Sequence, residues 1–437
     1  MIGNRSRSRR RGRLITALVA AAALGLAACS SGGGGKGESV TQGGINGTDD
    51  GASLTLWTRA PLELQAKELV NAYNASHKNQ VKLTTVPNDD YVSKVGAAAG
   101  SGGLPDLFAS DIVYTPNWVK AGLWQDLTSQ IDKLPFAGSI NKGHLAAGTY
   151  QGKEYVLPFI LDLSVMMWNK TLYKEAGLDP NKGPTTVAEF VQQAKAVEAL
   201  HKPGVYGTYF GGNCGGCGVF TWFPMIWASG QDVLSQDGTK SLLDSDTAKQ
   251  VYAAWKDLWT SGAVDPASKD DTGATWVGPF QQGKIGVMPY PASLLSTVDK
   301  TVDAGVTPIP GVNGGGSTFV GGDGIGVSKD SRHEAEAWNF LSWMMSEDAQ
   351  VNVLAANDNI VSRGDLANNK YALKDPRVVV VNKVAAEPSS KTPIAINFQQ
   401  AFNAPGSPWV TLFRDQVFNG KDNLAQDNSA INSVLGQ

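Results

Sequence analysis

The sequence predicts an α/β fold organised as two domains or lobes, and three observations carry that prediction. Short apolar strands alternate with amphipathic helices, the order of a parallel sheet covered by helices. The stretch from about residue 53 to 437 exceeds one ordinary domain. After the apolar run near the N-terminus, no second one is long enough to span a bilayer.

The elements follow in order. "LTLW" (54–57) reads as a short buried strand. "PLELQAKELVNAYN" places Leu62, Ala66, Leu69, Val70 and Tyr73 at helical spacing. "VKLTTV" is the next strand, "YVSKVGAAAGSGG" a helix ending in glycines, and "PDLFASD" a third strand. Farther on, "TTVAEFVQQAKAVEAL" and "HEAEAWNFLSWMM" are helices, and "KIGVMPY" and "GIGVS" are strands.

The N-terminal segment bears on location. Six arginines lie between Arg5 and Arg13, and an apolar run, Leu14 to Ala28, follows. A basic region before a short apolar one predicts an export signal over residues 1–28. Leu26-Ala27-Ala28-Cys29 resembles the bacterial lipobox, which implies cleavage before Cys29 and lipid modification of its sulfur. The export route, general secretory or twin-arginine, is left open. Residues 29–52 are rich in Gly and Ser and read as a flexible tether, about 22 residues with a reach of roughly 26 Å. Without the six signal arginines the 37 basic residues fall to 31 against 40 acidic, a net charge near −9. That balance argues against nucleic acid or an anionic lipid surface as partner.

Eight segments, in order, resemble the extracellular sugar-binding proteins of ATP-binding-cassette importers. They are "SGGLPDLFASD", "WVKAGLWQDL", "GTYQGKEYVLPF", "MMWNKTLYKEAGLDP", "TTVAEFVQQAK", "FQQGKIGVM", "GIGVSKDSRHEAEAWNFLSWMMSEDAQ" and "FNGKDNLAQDNSAINSVL". The resemblance implies a two-lobed periplasmic-binding-protein-like fold with parallel or mixed sheets, hinge crossings and ligand held between the lobes. Crossings are expected near Leu157–Leu161, near Val306–Pro310 and in the helix around Trp343. One lobe then comprises 53–160 plus 307–343, the other 161–306 plus 344–437. It also implies an ABC permease as partner and a monomeric, non-enzymatic protein without cofactor, lipid-anchored outside the cytoplasmic membrane.

A sugar offers apolar C–H faces to aromatic planes and hydroxyls to carboxylate, amide and guanidinium groups. Asp111 lies at the carboxyl end of a strand, where open α/β sheets bind ligands. Arg59 follows the first strand and Asp323 sits in "GGDGIGV", where the family commonly has an aromatic. By resemblance, Asp162 falls at the hinge, Arg363 reaches the cleft and Tyr290 stacks on ligand. Trp57, Trp222 and Trp276 lie near expected strand or loop ends and complete the candidates; Trp255, Trp338 and Trp343 suit core positions on helices.

Cys214 and Cys217 are the cysteines left after Cys29. A pair outside the membrane is expected to oxidise, stapling a glycine-rich loop that presents Phe220, Trp222 and Phe223. A thioredoxin-like dithiol and a metal site are the alternatives. Zinc needs four ligands, and His77, His144, His201 and His333 form no ligand pattern, so no metal is expected. The sequence carries no G-x-S-x-G, H-E-x-x-H or P-loop motif and no spacing that marks a glycosidase carboxylate pair. The expected function is capture of a di- or oligosaccharide. The alternatives are another solute (peptide, polyamine or chelate) and, less favoured, a secreted glycoside-active enzyme.

Overall fold

The computed structural model describes residues 45–437. The export signal, Cys29 and most of the expected tether lie outside the described residues. Residues 45–52 are seated on the domain. Thr48 N donates to Ala335 O at 3.0 Å, and Trp338 Nε1 donates to Ile45 O at 2.9 Å. Asn79 gives its amide N–H to Thr48 O and accepts from the Gly51 and Ala52 amides, at 2.7–3.0 Å. The tether was expected to run to residue 52; its last eight residues instead belong to the fold.

Strands β1 (Ser53–Arg59), β2 (Gln80–Val86) and β3 (Leu107–Asp111) form the parallel start of a seven-stranded sheet. A hairpin of two-residue strands, β4 (Thr149–Tyr150) and β5 (Lys153–Glu154), precedes the long β6 (Leu157–Asn169). Strands β7 (Val287–Pro291), β8 (Ala304–Thr307), β9 (Ile309–Pro310), β10 (Gly316–Ser317) and β11 (Val320–Val327) follow. The sheet order is β2-β1-β3-β11-β6-β7, with β8 also on β6. Only β1, β2 and β3 run parallel; β11 pairs antiparallel with β3 and β6, and β6 with β7 and β8, so the sheet is mixed. The expected helices form at Glu63–Ser76, Asn88–Ser101, Val187–Glu198 and Glu334–Met344. The Thr186 hydroxyl caps the third by accepting from Glu189 N, a local start signal visible in sequence.

Two lobes result, and β6 and β11 carry the chain between them. Leu157, Phe159 and Ile160 pack with β1, β3 and helix Glu334–Met344, whereas Leu161, Leu163 and Val165 pack with β7 and β8. In β11 the change falls between Val320, on the second side, and Ile325, on the first. Gly322 makes the crossing possible: its φ is +98°, and a Cβ there would lie 1.9 Å from Ile160 O. β6 changes core between Ile160 and Leu161, within the first expected crossing. At the other two expected crossings, Val306 and Ile309 pack with the second core, and Trp343, Ala349 and Leu354 pack with the first. A helix of ordinary apolar periodicity carries no local mark of which lobe it covers.

His144 sits against the crossing. It is fully buried, its Nε2 donates to Gly321 O at 2.9 Å, and its Nδ1 has no partner. Burial lowers its pKa to about 4, only partly opposed by the Gly321 carbonyl. The unfolded chain therefore takes up a proton between pH 6.5 and 4 that the native state refuses, and stability is lost as pH falls through that window. The loss approaches about 3 kcal/mol. Asp162 and Asp323 titrate with the opposite sign, but they are shared by wild type and variant. Urea unfolding of wild type and His144→Gln, which keeps a donor for Gly321, should therefore diverge in the variant's favour as pH drops from 7 to 4.5; parallel curves would contradict the assignment.

Candidate functional site

Where the sheet passes from one lobe to the other, four of the candidate residues converge. Asp111 and Asp323 are directly opposite in the β3–β11 register, so two carboxylates share one face of the sheet. Like charges so placed repel, and Arg59, at the end of β1, lies between them. Its Nε and Nη2 both donate to Asp323, at 2.6–3.1 Å, and Nη1 pairs with Asp111 at 3.1 Å. Nη1 also donates to Asn88 at 3.3 Å. The Asp323 side chain is wholly buried, that of Arg59 15% exposed.

Burial pushes the Asp323 carboxyl up, to about 6, against the pull of Arg59. For Arg59 burial opposes the charge, and Asp111 and Asp323 outweigh it, so its pKa is raised. Both groups therefore stay charged at neutral pH, as the two-pronged contact requires.

Asp162 stands across β11, paired in register with Gly321. Burial raises its carboxyl to about 6; Ser293 and Arg59 hold it down and Asp111 adds to the rise. The residue as a whole is half-buried, yet its Oδ1 is fully shielded and has no hydrogen-bond partner.

Aromatic residues adjoin this polar centre. The Phe319 ring lies over Gly321, where a Cβ would meet it at 3.0 Å. Phe220 is 5.4 Å from Phe319, and Trp276 is 6.4 Å from Phe220 edge to face. Tyr114, three residues after Asp111, donates to Gln399 Oε1 at 2.7 Å across the lobes, and Asn117 Nδ2 donates to Ile396 O at 3.2 Å. A groove of about 530 Å³ runs here, lined from one lobe by Asn88, Tyr114 and Trp118 and from the other by Ile396, Gln399 and Gln400. A smaller cavity of about 300 Å³ is lined by Ser293, Asp299, Ile360 and Tyr371 among others, and none of the nine candidates lines either space.

The other candidates lie elsewhere or face inward. Trp57 shares a strand face with Arg59 and carries the Lys94 ammonium 4.5 Å from its ring centre. Trp276 is half-buried beside the aromatic group. Tyr290 has no exposed surface; its hydroxyl donates to Val277 O at 3.0 Å, and it backs Trp276 instead of offering a free face. Arg363 is bonded to Asp365 and to Met345 O, with its guanidinium 3.9 Å from the Phe136 ring centre, so it does not extend into the groove. Trp222 is fully buried, stacked on Trp255 at 5.0 Å. The sequence places it near a strand or loop end, on the glycine-rich loop that follows the cysteine pair. The helix runs Gly215–Ala228, with Cys214 as its cap, which turns Trp222 and Phe223 into the core. The Cys214 and Cys217 sulfurs are at bonding distance, their Cα atoms 5.2 Å apart. Among the described residues no cluster of His, Cys, Asp or Glu is arranged to hold a metal ion, and no helix is long and apolar enough to cross a membrane.

Residues 60–351 match the model of the bacterial extracellular solute-binding protein family. The chain belongs to that family. It is 24% identical over 431 residues to the diacetylchitobiose binding protein DasA of Streptomyces coelicolor, covering 92% of this chain and 94% of that one. A binding protein of Brucella abortus is 24% identical over 332 residues, 72% and 79% of the two chains. In fold the chain is similar to the cyclic alpha-maltosyl-1,6-maltose binding protein of Arthrobacter globiformis, with a TM-score of 0.75 and 24% identity over 88% of this chain and 99% of that one. The sugar-binding protein MalE of Xanthomonas citri superposes with a TM-score of 0.76 at 16% identity, over 88% and 97%. These likenesses make the two-lobed α/β architecture that of a family of binding proteins.

Removal of Arg59 should expose how the polar centre is balanced. Arg59→Ala leaves Asp323 buried without a counter-charge, a loss of about 3–5 kcal/mol at pH 7.5. Asp323 then binds a proton more readily folded than unfolded, so the penalty should shrink by pH 5. Denaturant unfolding at the two pH values measures this, and an equal penalty at both would refute it.

Proposed function

We propose that the protein captures a di- or oligosaccharide between its lobes outside the cytoplasmic membrane and delivers it to an ABC permease as a lipid-anchored monomer. One observation carries the reading. A charged polar centre (Arg59, Asp111, Asp323, Asp162) and an aromatic group (Phe319, Phe220, Trp276) meet where β6 and β11 pass between lobes. Planar charged groups suit a ring of hydroxyls and aromatic planes suit its C–H faces. The names of DasA and of the Arthrobacter protein support a sugar as ligand. Calorimetric titration of the mature protein with diacetylchitobiose, maltose and mannobiose, beside a peptide, a polyamine and a ferric chelate, tests the class. Binding of a non-sugar alone would overturn it, and turnover of any glycoside would reopen the enzyme reading.

Asp162 is the carboxylate with an unused acceptor at the crossing. A charge-assisted hydrogen bond to a sugar hydroxyl contributes about 1.5–3 kcal/mol, a roughly 10- to 150-fold effect on affinity. Asp162→Asn keeps one acceptor oxygen and should bind between wild type and Asp162→Ala. Because burial already disfavours the charge, neither change should lower the melting temperature of the ligand-free protein. Wild-type affinity in Asp162→Ala would remove the residue from the site.

Anchoring rests on Cys29 and the residues before it. Cys29→Ala should leave the domain folded and move it from the membrane fraction to the soluble one; retention at wild-type levels would exclude the lipid anchor.

A further inference from the structure

The cysteine pair lies apart from the charged centre, yet the structure ties it to one aromatic of the site. Cys214 caps helix Gly215–Ala228, its Sγ accepting from Cys217 N at 3.1 Å. Phe220 is three residues farther along the same helix. Over the two sulfurs lies Gly273, with φ +100°; a Cβ there would fall 2.8 Å from Cys214 Sγ and 3.0 Å from Cys217 Sγ. No other residue could seat that segment so closely.

The segment is fastened on both sides. Gly212 N donates to Ser268 O at 2.7 Å and Asn213 N to Asp271 O at 2.9 Å. The Asp271 carboxylate, buried, accepts from Gly273 N at 2.8 Å, Tyr209 Oη at 2.9 Å and Thr275 Oγ1 at 3.0 Å. The next residue after Thr275 is Trp276, whose ring meets Phe220 and Tyr290 at 6.4 and 6.2 Å. Both partners of the Trp276–Phe220 contact thus hang from the same two cysteines.

We propose that the Cys214–Cys217 disulfide and Asp271 are positioning residues for Trp276, fixing its ring where a sugar face stacks. The second half of that statement rests on the sugar-binding reading; the first does not. Reduction by dithiothreitol breaks the S–S bond, places a proton on each sulfur and oxidises the reagent to its cyclic disulfide. The freed thiols need van der Waals separation, and Gly273 packs directly against both sulfurs. Separation of the sulfurs presses on segment 271–275 and moves Trp276 with it.

Labelling with 5-fluorotryptophan and fluorine NMR reads this without ligand, Trp276→Phe assigning the line. Dithiothreitol should move or split the Trp276 resonance and leave those of Trp118 and Trp124 in place. Asp271→Asn should shift the same line in unreduced protein, and it serves where Cys214→Ser/Cys217→Ser does not fold. An unmoved Trp276 line after release of two thiols is measured would overturn the proposal. So would two free thiols in protein isolated from an oxidising medium. With the panel sugar that wild type binds, reduction should weaken binding about 10-fold, and should weaken it no further in Trp276→Ala. Additive losses would show that the pair acts through general stability and not through Trp276. If wild type binds none of the sugars, the sugar reading fails and the NMR result alone decides the positioning role.

Discussion

The structure turns on one electrostatic problem, two carboxylates held opposite each other in the middle of a sheet. Asp111 and Asp323 face each other across the β3–β11 pairing, and Asp323 has no exposed surface. A single guanidinium answers both, pronged on Asp323 and paired to Asp111. A lysine could not do this, since it presents a point charge and no fork. The arrangement is costly in desolvation and yields little net stability against an apolar replacement. Its use is therefore in what it holds ready. Asp111 remains half-buried, and Arg59 keeps some surface toward the Asn88 side of the groove.

The same strands set the hinge. β6 is thirteen residues long and changes lobe in its middle, and β11 does so within "GGDG". Glycine at 322 lets the two backbones close to a distance that any Cβ would forbid. The register shift between Asp323 and Gly324 falls at the same place and turns the strand. Asp162, Asp323 and the Phe319 ring are all consequences of that crossing, which is why polar and aromatic groups distant in sequence meet there.

Local signals made much of the fold legible. Strand ends at Arg59 and Asp111, the helix spacing from Leu62 to Tyr73 and the Thr186 cap are all short-range patterns. Asp111 could be named because a strand end is visible in sequence, whereas Asp162, in the middle of β6, was reached only through the family resemblance. The Arg59–Asp323 partnership joins residues 264 apart, and no local pattern announces it. Tyr114 and Phe319 each carry a weak signal, an aromatic beside a strand end, and were not singled out. Trp222 failed for the opposite reason: glycines and cysteines that look like a loop are the first turn of a helix. Tyr290 and Arg363 are already satisfied, by Val277 O and by Met345 O and Asp365, which spacing does not reveal.

The placement of charge bears on how the lobes move. Arg59, Asp111 and Asp323 sit on β1, β3 and β11, elements of one lobe and its edge, so their pairing is complete whether or not the lobes approach. Across the groove the polar contacts are neutral: Tyr114 to Gln399 and Asn117 to Ile396 O. Each such bond contributes about 1 kcal/mol net, enough to bias closure and too little to lock it. A solute shifts the balance only by binding the closed form better than the open one. On the proposed reading, the required difference would come from groups contributed by the second lobe, chiefly Phe220, Trp276 and the carboxylate of Asp162 at the crossing. With the ion cluster held apart from closure, discrimination between solutes would then fall to those groups.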